Sequence, residues 1–223
     1  MAVRSKEIHV RARQEKAREH ARSEILAAAA GVFARRGYAA ATLADLAEAA
    51  GYAAPSLYRY FESKEEIFRS LLDRLKGELA ATFDRPVDAA RPLAARLEAL
   101  LTAQFEMARN NRDVLAVLAN EHPADGRAPA IVPELKAGLT FYEESLLAWL
   151  RRHVAAAELR CPVEDAARVL AGVSHGFHHC GSSLSAASPS SPGDLVRFIV
   201  DLALNGIQAQ PARGPVPPAE EST

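Results

Sequence analysis

Residues Thr42 to Lys64 read TLADLAEAAGYAAPSLYRYFESK, and their punctuation decides the fold. Thr42 opens a helix because its hydroxyl can cap free backbone amides, while Asp45, three residues on, closes a capping box. Leu43, Leu46, Ala47 and Ala50 give that helix one buried face. Gly51 stops it, supplying the left-handed backbone that a tight turn needs. Pro55 presets the first-turn dihedral of a second short helix running to Phe61, with Leu57 and Phe61 on one side. Two short helices around a glycine turn form a helix-turn-helix, whose second helix is shaped to enter a DNA major groove.

Working outward, the preceding segment from Arg18 to Arg36 repeats Ile25, Leu26, Ala29, Val32 and Phe33 at helical spacing and ends at Gly37. Ahead of it Arg4, Lys6, Arg11, Arg13, Lys16, Arg18 and Arg22 face only Glu7, Glu15 and Glu19, a cationic arm fit to lie along phosphates. On the other side Ser63 and Glu66 form a second capping box, opening a helix to Lys76 that carries Ile67, Phe68, Leu71, Leu72 and Leu75. The rest of the chain repeats the helical period. Leu93, Leu97, Leu100, Leu101, Gln104 and Phe105 mark one helix, and Val114 to Leu118 a short one. Leu135, Leu139, Tyr142, Leu146, Trp149 and Leu150 mark a long helix over 132–154. Two more follow Pro162 and Pro192, both rich in apolar residues. Residues 121–127 read as a loop and 209–223 as a Pro-rich disordered tail.

No strand pattern interrupts this series, so the fold class is all-α. The expected domains are a basic arm over 1–20, the helix-turn-helix over 21–66, a larger helical domain over 67–208 and the tail over 209–223. The 223-residue chain has a net charge of −1, so a nucleic-acid partner has to be argued from charge placement, not total charge. Cys161 and Cys180 have neither CxxC spacing nor the density of a disulfide scaffold, and the first residues lack the apolar core of a signal peptide. With no apolar run of about 18 residues to span a membrane, the expectation is a cytoplasmic protein. No nucleophile elbow, Gly-rich phosphate loop, HExxH motif or paired carboxylates are present, which argues against an enzyme.

Within the helix-turn-helix, Tyr58 and Tyr60 flank Arg59, and Lys64 opens the next helix. These place hydroxyl and cationic donors where phosphate oxygens border a groove. Tyr58 and Tyr60 cannot both face one core, so at least one points outward.

Together, Ile25-Leu26, Gly37-Tyr38, Thr42, Ala50-Gly51, Leu57-Tyr58, Tyr60-Phe61 and Lys64-Glu65 resemble the N-terminal signature of the TetR family of transcriptional regulators. The resemblance covers about a quarter of the chain. It implies a three-helix DNA-binding domain in which Thr42 and Lys64 sit on phosphates, Tyr58 and Tyr60 touch the backbone, and residues 54–56 meet bases. Ala53 departs from the pattern where a serine usually caps the recognition helix, and Leu43 departs where a second threonine often stands.

The resemblance also implies a homodimer paired through the last two long helices, a palindromic operator, and repression relieved by a small effector. An activator or adaptor of the same fold is the alternative. Phe105, Leu118, His122, Phe141, Trp149 and His175 are the candidate lining of an effector cavity, with plain core packing the competing reading for each. His175 and His179 share a helix face at i and i+4, but no four-ligand set accompanies them, so neither metal nor cofactor is expected.

Overall fold

The computed structural model describes residues 2–120, 132–184 and 191–207, and every long element in them is helical. The helices are α1 (Ala2–Ala40), α2 (Leu43–Ala49), α3 (Ala54–Leu57), α4 (Lys64–Phe83) and α5 (Leu93–Asn110). They continue with α6 (Arg112–Asn120), α7 (Val132–His153), α8 (Val163–Leu184) and α9 (Pro192–Ile207), with a single 3₁₀ turn at Ala156–Glu158 before α8. The whole of the expected loop over 121–127, with His122, and the whole of the expected tail lie outside the described residues.

The chain divides into two compact units, each made of two stretches: 1–81 with 106–139, and 82–105 with 140–223. In the first unit α1 packs on α2 and α6, and α2 packs on α3. Its core is built from the stripe Ile25, Leu26, Ala29, Val32 and Phe33, together with Leu46, Ala47, Leu57, Phe61, Ile67, Phe68, Val114 and Val117. Phe33 and Phe68 meet edge to face at 5.6 Å, and Tyr38 lies 4.9 Å from Phe68, so three aromatics lock α1 to α4. The sequence reading assigns α6 to the larger domain, but Val114 and Val117 bury against this N-terminal core.

Three elements differ from the sequence expectation. The first helix begins at Ala2, not near Arg18, so the basic arm is a helical extension of α1. Residues 11–20 are all exposed and contain only Ala as an apolar side chain. With no apolar stripe to signal it, the extension rests on the helix-favouring run of Ala, Arg, Gln, Glu and Lys. Helix α3 is a single turn, and beyond Leu57 the backbone tightens: the amides of Arg59 and Tyr60 donate to carbonyls three residues back. Helix α4 runs on to Phe83, past the expected end at Lys76.

In the second unit α8 and α9 pack together, and Leu97, Leu100, Leu101, Leu146, Leu150, Leu170, Ile199 and Val200 are buried. Arg96, itself buried, donates to the carbonyl of His153 and to the carboxylate of Glu158. Two of its nitrogens are so paired, with Nε left without a partner among the described residues, and the guanidinium fastens the end of α7 and the 3₁₀ turn to α5.

Candidate nucleic-acid interface

The turn between α2 and α3 is built as the residues dictate. Thr42 Oγ1 accepts the amide of Asp45 at 3.2 Å, and the Asp45 carboxylate accepts the amide of Thr42 at 3.0 Å and its hydroxyl at 2.8 Å. This reciprocal box holds the start of α2. Asp45 also pairs with Arg36, at the end of regular α1 geometry. The Thr42 amide and hydroxyl, then Arg36, hold the Asp45 carboxyl below its ordinary value. Gly37 and Gly51 both have positive φ, 75° and 74°, so each turn uses the residue that adopts that conformation without strain.

Helix α3 shows the predicted division of faces. Leu57 and Phe61 are buried, whereas Ala53, Pro55, Tyr58 and Arg59 are exposed and Ala54 and Ser56 lie between. Tyr58 projects with 59% of its surface free. Tyr60 turns inward, its ring 5.7 Å from that of Tyr52 in an edge contact and packed against the core. One tyrosine outward and one inward is the arrangement their spacing requires. Ala53 makes no side-chain cap, so Pro55 alone presets the first turn of α3.

Lys64 has a duty that the sequence reading did not give it. Its ammonium donates to the carbonyls of Tyr38 at 2.9 Å, Ala41 at 3.0 Å and Ala39 at 3.3 Å, and lies 4.6 Å from the centre of the Tyr38 ring. An ammonium has three donors, and all three face carbonyls at the end of α1, where the helix dipole also favours a cation. A phosphate contact would have to share those donors.

Arg22, counted with the arm in the sequence, belongs to the folded unit. It stacks 4.0 Å over the Phe61 ring, donates to the Tyr60 carbonyl and pairs with Glu66 at 3.3 Å. It thereby fixes the end of the α3 turn and the start of α4. The signal was present, since Arg22 precedes Ile25 and Leu26 by three and four residues and so continues their buried face. Ser63 accepts the Glu66 amide at 3.2 Å, but the Glu66 carboxylate takes the Glu62 amide at 2.6 Å, so this second box closes one residue earlier than the sequence suggests.

The expected effector-lining residues are distributed between the units. Leu118 packs against the N-terminal core. Phe105 and Phe141 are half-buried, and Trp149 is buried with its ring 5.2 Å from His153. The side chain of His175 lies outside the described residues, as does His122. Among the described residues no cluster of His, Cys, Asp or Glu could hold a metal ion, and no helix is long and apolar enough to cross a membrane.

A capped α2, a glycine turn and an α3 that presents Pro55, Tyr58 and Arg59 outward define a helix-turn-helix of the kind found in DNA-binding regulators. Residues 25–71 match the model of bacterial regulatory proteins of the tetR family. It is 38% identical over 104 residues to the HTH-type transcriptional repressor KstR2 of Rhodococcus jostii, a match covering 45% of this chain and 49% of that protein. The chain thus spans about half the length of the curated relatives it matches. The TetR-family regulator PfmR of Thermus thermophilus superposes with a TM-score of 0.62 at 25% identity, over 81% of this chain and 97% of PfmR. SmeT, solved as a triclosan complex, superposes with a TM-score of 0.68 at 20% identity, over 89% and 98% of the two chains, and so shares the fold.

Proposed function

We propose that the chain is a ligand-responsive transcriptional repressor that binds a palindromic operator as a homodimer and is released by a small, largely apolar molecule. The observation that carries the reading is the two-sidedness of α3, with Leu57 and Phe61 sunk in the core and Pro55, Tyr58 and Arg59 free. In this reading Tyr58, Arg59 and Thr42 position the protein on phosphates. Ala54, Pro55 and Ser56 meet base edges, Tyr60 supports the turn, and Lys64 holds the end of α1 beside the backbone.

The extension of α1 supports a wider footprint. Arg11 and Arg18 are seven residues apart, on the side of the helix that Arg22 carries into the folded unit, and Arg13 and Lys16 add two more exposed cations. Such a stripe suits the phosphates flanking an operator.

The apolar surface of the second unit supports a dimer. Phe198 and Leu202 on α9 are one turn apart and 57% and 50% exposed, and Val169 on α8 is 43% exposed. A second copy of the α8–α9 pair would cover this exposed apolar area. Two recognition helices about 34–36 Å apart then read successive major grooves, and an effector acts by favouring a different separation.

The test is binding to a duplex carrying the upstream region of its own gene, against a scrambled duplex, at two salt concentrations and beside Tyr58→Ala with Arg59→Ala. Preference for the upstream duplex, weakened about tenfold or more by the double substitution with a shallower salt slope, supports the reading. Equal binding to both duplexes, untouched by the substitutions, overturns it. The uncapped start of α3 favours one alternative, an activator or adaptor with the same fold that engages operator DNA differently. That protein would show no such preference until a partner or ligand is added.

A further inference from the structure

Three polar side chains of the second unit lie inside it with their hydrogen-bonding capacity incompletely used. Gln104 on α5 is 1% exposed and Ser174 on α8 is 0% exposed. Tyr142 on α7 stands with them, its hydroxyl donating to Gln104 Oε1 at 3.0 Å. Burial pushes the phenol up to about 12, and Ser174, whose hydroxyl neighbours the phenol without completing a well-formed hydrogen bond, tempers that rise. Neither Ser174 Oγ nor Gln104 Nε2 completes a hydrogen bond with any described atom.

The surroundings are apolar. On α5 the buried stripe Leu97, Leu100, Leu101 leads to Gln104, on α8 Ala166, Ala167 and Leu170 lead to Ser174, and on α7 Leu146 follows Tyr142 by one turn. The Phe83 ring lies 5.9 Å from the Tyr142 ring. Three polar tips thus meet within apolar stripes on three different helices. An unmatched polar group is costly when buried, and two such groups on either side of one phenol call for a shared partner.

The unused atoms define that partner. The Tyr142 proton is already given to Gln104, which leaves the two amide hydrogens of Gln104 and the hydroxyl hydrogen of Ser174 as donors. A donor-rich, uncharged cluster in an apolar setting matches a neutral acceptor. We propose that Gln104, Ser174 and Tyr142 form an effector subsite for the carbonyl oxygen of a neutral, otherwise apolar molecule. Gln104 and Ser174 donate to that oxygen, and Tyr142 orients the Gln104 amide. The subsite deepens the regulator reading and rests on it for its purpose, though not for its chemistry.

Matched probes isolate the oxygen: acetophenone against ethylbenzene and benzophenone against diphenylmethane differ only by a carbonyl in place of a methylene. Binding is read by calorimetry and by the shift in melting temperature, on the full chain and on Gln104→Met and Ser174→Ala. Expected is that at least one ketone binds the wild type at least tenfold more tightly than its hydrocarbon partner. Each substitution should remove most of that advantage while leaving hydrocarbon binding and the helical signal in place. If neither ketone outdoes its partner on the wild type, or if the advantage survives in both variants, the proposal is overturned and the open atoms hold only water. Upstream-duplex binding measured on the ligand-free wild type fails separately: its loss breaks the regulator reading and leaves the ketone comparison standing.

Discussion

The two units differ in how completely their buried polar groups are paired. In the first, Thr42 and Asp45 satisfy one another, Lys64 spends all three donors on the end of α1, and Arg22 divides its guanidinium between a carbonyl, a carboxylate and a ring. In the second, Gln104 Nε2, Ser174 Oγ and Arg96 Nε are buried without a partner among the described residues. A region that must present Tyr58 and Arg59 at a fixed angle gains from a single, fully paired arrangement. On the proposed reading the second unit admits a visiting molecule, and unpartnered atoms suit that role. The difference teaches that removing one of these unpartnered atoms should carry the opposite sign to removing a paired group of the first unit, and each substitution below can break that statement.

The largest effect belongs to Lys64→Met. The substitution keeps the apolar stem but removes three charge-assisted hydrogen bonds, and it leaves the carbonyls of Tyr38 and Ala41 facing a methyl group. Because the site is part-exposed, water recovers some of the loss, and a cost of about 2 kcal/mol is expected. For a chain of this length that lowers the melting temperature by about 4–8 °C. Weakened operator binding without any change in stability would show instead that the ammonium serves DNA and not α1.

A smaller effect is expected at the capping box. Thr42→Ala removes the acceptor for the Asp45 amide and should cost about 0.5–2 kcal/mol, read by chemical denaturation. The same box has an acid signature. The Asp45 carboxyl is held below its ordinary value of 3.8, mainly by the Thr42 amide and hydroxyl and then by Arg36, so it favours the folded state above that value. That contribution fades as pH falls through the lower folded-state value. Asp45→Asn should therefore flatten the stability profile below about pH 4 while leaving the neutral-pH slope as it was. An unchanged acid limb in Asp45→Asn would mean that the box does not hold α2.

These effects also mark where the sequence is informative. Capping boxes, glycine turns and the stripe from Ile25 to Phe33 depend on residues within a few positions of one another, so the helix-turn-helix was legible almost residue by residue. Arg22 shows the limit: its spacing placed it on the buried face of α1, but its partners Tyr60, Phe61 and Glu66 come from about forty residues away. The extension of α1 to Ala2 left no mark because a wholly polar helix has no hydrophobic period. Packing of α6 on α1 was hidden for another reason, since an apolar stripe such as Val114 and Val117 does not name the face it meets. Gln104 and Tyr142 sit within apolar stripes of the sequence, but only the fold brings them together with Ser174.

The smallest effect carries the sharpest sign. Ser174→Ala deletes a fully buried oxygen that completes no hydrogen bond and replaces serine in mid-helix with the residue most favourable to α-helix. Removing an unmatched buried polar atom relieves a desolvation cost and leaves a void of only one small atom. The variant should therefore match the wild type or gain up to about 1 kcal/mol in denaturant unfolding without ligand. Set beside a loss of about 2 kcal/mol for Lys64→Met, a gain would establish the opposite signs directly, and a match would show that the hydroxyl contributes nothing without ligand. A loss of 1 kcal/mol or more in Ser174→Ala would mean that the hydroxyl is already satisfied, by ordered water, in the free protein. The second unit would then be as fully paired as the first, and its open donors would no longer distinguish it as the half of the molecule that receives a ligand.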